Sequence, residues 1–531
     1  MNLISHDSSP VNESEDAWWT SGWFKVALVL LGLIVAFYTA SNWLGAAAWK
    51  KAQVEITAAG ESLDPNKFIP PPVPDEQNFA ALPFFQLETG AGYSGYPEPL
   101  ILERAFIHVD SSKMPYDKSD QEDKNKLPYL GNWKKGEPPD LPAIEQRLTD
   151  LCSDLSSSPP LLPNASLTDL FGRLCPVLAE LRAANGTRPL CRFNEDYNSQ
   201  PPWNRPLTGV VSQISVAKVL SYEERLALFE HRPDLAIDDL KVGWKIDSGL
   251  RQEPLIISGL VALGVVAIQL GVVSEGLADH AWDNQQLVEL DDELGKIDFL
   301  AESQFCLRGD VAVQSLPDID YLNKNRLEVR PLLTGNAVSY SSSRSPQEQF
   351  FDLALSLVVE ALPSGWFELY KADFVRFHLL GTVRMVDPAS RRVFPEKEKE
   401  AMRLLNDSSA TGLWHDFETE WITPTLNSVK RFAQGQANVD QARIACRLER
   451  YRLTHGAYPA TLTDLIPAYG PLPHDIMTGD PYRYRVATDG TYLLYSVGWN
   501  QKDDGGDETP DSDGNKPDWV WASHPDAAKP K

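Results

Sequence analysis

Cysteine is scarce: five in 531 residues, with no CxxC and no Cys/His pair at zinc spacing. That excludes a disulfide scaffold and a thiolate zinc module. Basic charge is also short. Lys and Arg total 49 against 74 Asp and Glu, a formal net charge of −25. Nucleic-acid binding needs a basic footprint, and no block of this chain supplies one, so no nucleic-acid partner is expected. The chain has no GxSxG elbow, HExxH, Walker loop, SxxK, or GxGxxG after a strand. Without them no catalytic residue can be named, although an enzyme is not thereby excluded. What is present is ordinary globular composition, 43% hydrophobic and 23% charged, which sets aside wholesale disorder, collagen and an all-coiled-coil chain. Forty clustered prolines predict long linkers, and the length predicts two to four domains.

Between Lys25 and Lys50 lie 24 uncharged residues, enough for a helix to cross a bilayer. Trp18, Trp19 and Trp23 flank one end and Trp43 and Trp49 the other, as interfacial aromatic belts do. A cleaved signal peptide would have a shorter apolar core behind a basic stretch. Here the leader is acidic (Asp7, Glu13, Glu15, Asp16), so residues 23–49 are expected to be an uncleaved anchor in the lipid bilayer. The positive-inside rule gives a tie, Lys25 and the amino terminus against Lys50 and Lys51. A second uncharged run, residues 254–274, is also long enough to span. It is Gly-rich, carries Gln269 and lacks aromatic belts, so it is expected to be a buried helix.

The remainder divides by composition. Residues 1–22 read as a disordered acidic leader and 50–90 as a stalk with a Pro-rich strap. Phe79, Phe84 and Phe85 in that strap are expected to pack along the next domain. Residues 91–423 read as mainly helical, irregular or repeat-like, without a fixed period. Within them "SLTDLFGRLCPVLAELRAA" puts Leu167, Leu170, Leu174, Val177, Leu178 and Leu181 on one helical face, started by a Ser166/Asp169 capping box. Leu287, Leu290, Leu294 and Phe299 form another stripe. His231, His280, His378 and His415 read as isolated histidines. Glu289, Asp291, Asp292 and Glu293 read as a solvated face. Cys152, Cys175 and Cys191 are close enough in sequence for one disulfide or for three buried thiols.

Residues 424–521 carry the most specific pattern. "PTLNSVKRFAQGQANVDQARIACRLERYRLTHGAYP" reads as one long helix with Ala442, Ala445, Leu448, Tyr451 and Leu453 as its apolar side, ended by Gly456 and Pro459. "LTDLIPAYG" reads as a helical turn. "PYRYRVATDGTYLLYSVG" reads as a hairpin closed by Asp489-Gly490, and Trp519-Val520-Trp521 as a last strand. This order resembles the soluble domain of the major pseudopilins of type II secretion. The resemblance is carried by Leu448–Pro459, by Asp475, Gly479, Pro481, Tyr482 and Tyr484, and by "YLLYSVG" before an acidic Gly-rich loop. It covers about a fifth of the chain. The family's basic leader, Gly-Phe cleavage site and early membrane Glu are not found in residues 1–50, so pilus-type polymerisation is not implied. The whole layout resembles membrane-anchored bacterial envelope proteins that append such a module to a helical domain.

"DDGGDETPDSDGNKPD" offers Asp503, Asp504, Asp507, Asp511, Asp513, Asn515 and Asp518 as oxygen ligands on a turning loop. The resemblance implies calcium there. Trp499-Asn500 replaces the family's usual small and acidic pair.

The expected fold is mainly α: an N-terminal transmembrane helix, a helical domain over 91–423, a C-terminal α+β module over 424–521 and a disordered tail over 522–531. The expected protein is a single-pass, non-enzymatic component of the bacterial inner membrane with a periplasmic soluble part, a calcium-binding module and possible partners among other envelope proteins. A type II secretion or pilus-like component, and a membrane-tethered enzyme with its site in the helical domain, are the alternatives.

Overall fold

The computed structural model describes residues 22–86, 127–133, 136–153, 164–193, 196–197, 201–202, 208–328, 357–406, 415–510 and 516–522. The acidic leader before residue 22, most of the "KSDQEDKNKLP" loop, residues 345–356 and the tail beyond residue 522 lie outside them. The chain is mainly helical with a small C-terminal sheet. It forms two compact units: Met1–Glu55 with Leu322–Asp373, and Ile56–Tyr321 with Phe374–Lys531.

In the first unit α1 (Gly22–Ala58) is one continuous helix. Its apolar stretch is long enough to cross a membrane and only 6% buried. Leu28 through Val35, Trp43 and Leu44 stand exposed, the reverse of what water-soluble packing would give. The helix continues beyond Lys50 to Ala58. Alongside its second half runs the segment that leads into α11 (Ser364–Val375). Gly365 N–H donates to Asn42 Oδ1 at 2.8 Å, and Tyr38 OH donates to Ala361 O.

The second unit begins with the strap. Asn78 is buried and behaves as a piece of backbone: its Nδ2 donates to Arg192 O (2.9 Å) and its Oδ1 accepts from Arg192 N (2.8 Å). This sets Phe79 and Phe85 into the core and Phe84 against it, as the spacing predicts. There they meet α2 (Leu141–Ser153), α3 (Leu167–Leu174) and α4 (Val177–Thr187). The Ser166/Asp169 capping box is present in both directions. The single helix expected here is two, because Pro176 cannot donate to the ladder. The six apolar residues read as one stripe are nonetheless all buried.

Four helices follow: α5 (Thr208–Phe229), α6 (Pro233–Leu250), α7 (Ile256–Ala278) and α8 (Asn284–Leu294). The α5–α6 and α7–α8 junctions are built alike. Arg232 N–H bonds Ala227 O and Ala281 N–H bonds Gly276 O, both at 2.8 Å. Between each pair a histidine takes the left-handed conformation, His231 at φ 55° and His280 at φ 54°. These are Schellman ends with histidine where glycine is usual. Helix α7 is the apolar run 254–274. Sixty-one per cent of its most apolar window is buried, with Ser258, Gln269 and Glu275 enclosed. Helix α9 (Phe299–Asp310) continues through a π turn into α10 (Leu316–Lys324). After α11 come the hairpin β1 (Val386–Asp387)–β2 (Arg392–Val393) and α12 (Glu398–Asn406).

Helix α13 (His415–His455) runs 41 residues. The antiparallel sheet β3 (Arg483–Val486), β4 (Tyr492–Ser496), β5 (Trp519–Ala522) follows, with β4 central. Gly490 turns the hairpin at φ 87°. Gln441 Nε2 on α13 donates to Trp519 O at 2.8 Å, and Tyr458 meets Tyr492 edge to face. Ala442, Ala445 and Leu448 are fully buried, whereas Leu453, expected on the same side, is exposed. It falls in the last turn, beyond the sheet. Tyr451 stacks on His455, one turn along its own helix.

Candidate functional site

Four of the seven proposed loop ligands lie within the described residues, and each has a visible occupation. Asp503 accepts from Tyr495 OH (2.9 Å), Gly505 N (3.1 Å) and Arg483 Nε (3.2 Å). Burial pushes its carboxyl up, and these donors more than offset that, leaving it below the usual range. Asp504 accepts from Asn500 Nδ2. Asp507 accepts from Thr509 N, and the Thr509 side chain, then this amide, lower its pKa. Asp518 is fully buried. Its Oδ2 takes the Gly506 and Asp507 amides (2.7 and 3.2 Å), while its Oδ1 has no hydrogen-bond partner. Burial is the largest influence and raises its pKa. Asp511, Asp513 and Asn515 lie outside the described residues. Among the described residues no three His, Cys, Asp or Glu side chains gather where they could hold a metal. Calcium asks for six to eight oxygens. Asp518 Oδ1 is suited to be one of them, and the described carboxylates do not complete the set.

Asp475, which the sequence marks only as part of a motif, fixes this end of the sheet. Its carboxylate accepts from Ser496 Oγ (2.8 Å), Met477 N (3.0 Å) and Val497 N (3.1 Å). The 472–481 segment is thereby pinned to the last residues of β4.

The histidines serve separate tasks. His231 ends α5. His280 ends α7 and its Nδ1 lies 2.9 Å from Glu449 Oε1. His378 is buried against Phe374 and Phe377 with neither ring nitrogen bonded, and burial lowers its pKa to about 3. His415 opens α13, and its side chain lies outside the described positions. All five cysteines are buried free thiols. Burial is the largest influence on Cys191 and raises it to about 12, far from a thiolate nucleophile.

Asp291 corrects the solvated-face reading. It is buried and accepts from Arg443 Nε (2.9 Å) and Arg447 Nε (2.7 Å) on α13. Its neighbours keep to solvent: Asp292 is exposed, Glu289 pairs with Lys241 and Glu293 with Lys296. A helix carrying four acids in five positions must turn one of them inward when both its flanks are packed. Sequence alone does not say which one.

A second cluster was not legible at all. Arg182 Nη1 on α4 bridges Glu223 of α5 and Asp239 Oδ1 of α6, the latter at 2.6 Å. Behind them Glu224 is fully buried. Burial, then the charge of Asp239, pushes the Glu224 carboxyl well above its ordinary range, with Gln269 pulling the other way. Asp239 is likewise raised by burial and Glu223, against Arg182. In front, a cleft of about 410 Å³ is lined by Thr168, Arg173, Arg182, Glu223 and Arg232 among others. Of the three carboxylates Glu223 lines the cleft, whereas Asp239 and Glu224 are fully buried and do not. Arg182, Glu223 and Asp239 come from three different helices, where each reads as one more polar position.

Family models, curated proteins and solved structures were compared with the chain, and none matches.

Proposed function

We propose that the chain is a membrane-anchored envelope protein held in the bacterial inner membrane by α1, with its second unit as a periplasmic scaffold that binds other envelope proteins. The single observation carrying this is the exposed apolar band of α1. A helix with that surface gains about 25 cal/mol for each Å² moved out of water, and lipid is the environment that covers it without a partner chain. The C-terminal helix and sheet are a pseudopilin-like element fused to the scaffold. Support comes from the order helix, turn, hairpin, acidic loop, last strand, and from Asp475, which pins the motif segment to β4. We assign calcium to the acidic loop that carries Asp503, Asp504, Asp507, Asp511, Asp513, Asn515 and Asp518. External calcium favours the periplasmic side.

The test is proteolysis. A protease admitted to the periplasm should degrade the second unit and leave α1 protected in the membrane. Full protection of the second unit would place it in the cytoplasm.

One observation favours a second reading. Glu223, bridged through Arg182 to the buried Asp239, lines a cleft beside Arg173 and Arg232, so the helical body is an enzyme if the cleft binds a substrate. Glu223→Gln would then abolish turnover without altering membrane attachment.

A further inference from the structure

The segment that runs beside α1 is apolar and exposed among the described residues. Leu357 and Val358 are 65% and 55% exposed, and Leu327 is 58% exposed. Three contacts register this segment on α1 in parallel order, and a ring contact from Trp366 reaches back toward the start of α1. Ala361 O meets Tyr38 OH. Gly365 N–H meets Asn42 Oδ1. The Trp366 ring meets Phe37 edge to face at 6.2 Å. Lys371 Nζ lies 4.6 Å over the Trp49 ring. At the crossing, Gly45 and Gly365 approach so closely that a Cβ on either would enter the other strand's backbone. Backbone-to-backbone contact through small residues, with a polar side chain bonding across, is how helices associate where lipid supplies no hydrophobic drive.

We propose that residues 357–366 form a second membrane element, embedded beside the outer half of α1 with Leu357 and Val358 against lipid. This rests on the anchor reading of α1, and whatever depth α1 occupies, the register transfers to the segment. Tyr38 lies 13 residues beyond Lys25, about 20 Å along a helix rising 1.5 Å per residue, within a hydrocarbon core of about 30 Å. Ala361 shares that depth. Lys371 shares the depth of Trp49, at the far boundary, where a cation over an interfacial indole is well placed. Leu357, one turn before Ala361, lies deeper, so its exposed side chain meets acyl chains. Glu360 limits how deep the segment goes. It is level with Tyr38, five residues or about 8 Å below Trp43, so its carboxylate must reach toward the interface. The occupant of this surface is therefore lipid, continuous with the lipid around α1.

The full chain reconstituted in lipid vesicles tests this. The native cysteines are buried, so an environment-sensitive fluorophore goes selectively onto Leu357→Cys, Val358→Cys, or Leu33→Cys on α1. Quenching is read from nitroxide-bearing lipids and from aqueous iodide. The expected result is lipid quenching at 357 and 358 at least about half that at 33, with little iodide quenching. Gly365→Leu should move the 357 label into iodide reach while leaving 33 unchanged. Lipid quenching at 33 with iodide quenching at 357 and 358 overturns the proposal and leaves the anchor standing. Iodide quenching at 33 overturns both.

Discussion

Replacing Asp291 with Ala removes the acceptor that joins α8 to α13. Two guanidiniums lose it together. Arg447 is itself buried and among the described residues keeps Pro471 O, at 2.8 Å, as its acceptor. Arg443 retains a side chain 24% exposed and recovers water. Breaking a buried ion pair from one side costs about 3–5 kcal/mol. Because one of the two partners rehydrates, the lower end applies, about 3 kcal/mol. The second unit has about 400 residues, and at roughly 2 cal/mol/K of unfolding entropy per residue that cost lowers its Tm by about 3–4 °C. Asp291→Asn keeps one oxygen and should cost about half as much. The assay is calorimetry of the full chain in detergent, with Asp292→Asn, the exposed neighbour, as control at under about 0.5 kcal/mol. Equal melting of Asp291→Asn and Asp292→Asn would refute the reasoning and restore the solvated-face reading.

Three further outcomes follow from the same geometry. Glu224 has a raised pKa from burial and the Asp239 charge. Folding therefore favours its protonated form, and stability falls as pH rises from its unfolded value near 4.5 through the folded one. Glu224→Gln should stabilise the protein at neutral pH and flatten that slope in denaturant titrations from pH 4 to 8; an unchanged slope counts against it. His231→Gly should be neutral or stabilising by about 0.5–1 kcal/mol, since glycine adopts the left-handed cap without cost, and a large loss would give His231 another task. Millimolar calcium should raise the Tm, by an amount corresponding to about 2.7 kcal/mol at 100 times the dissociation constant. Asp511→Asn with Asp513→Asn should remove that rise, and no calcium effect on the parent chain would leave the loop a solvated one.

What the sequence discloses divides along physical lines. Local signals were readable: the Ser166/Asp169 box, the Asp489-Gly490 turn, the return strand Tyr492–Ser496 and the charge-free length of α1 each depend on neighbours a few residues apart. The strap's Phe79 and Phe85 were readable because large aromatics rarely stay in water. Pairings that depend on tertiary closure were not. Asp291 finds Arg443 and Arg447 about 150 positions on, and Arg182 finds Glu223 and Asp239 on two other helices. The related ends of α5 and α7 were hidden because their likeness lies in φ and hydrogen bonds rather than in side chains. Of the acidic loop, sequence gave the carboxylates but not their work: Asp518 holds the Gly506 and Asp507 amides, and Asp503 holds Tyr495 and Arg483.

The most direct test is alkaline carbonate extraction of membranes from cells expressing the full chain, followed by intact mass of the retained protein. Membrane anchoring through α1 predicts that the protein stays in the pellet with residues 22–58 still attached. Release into the supernatant, or a retained mass lacking α1, would contradict it.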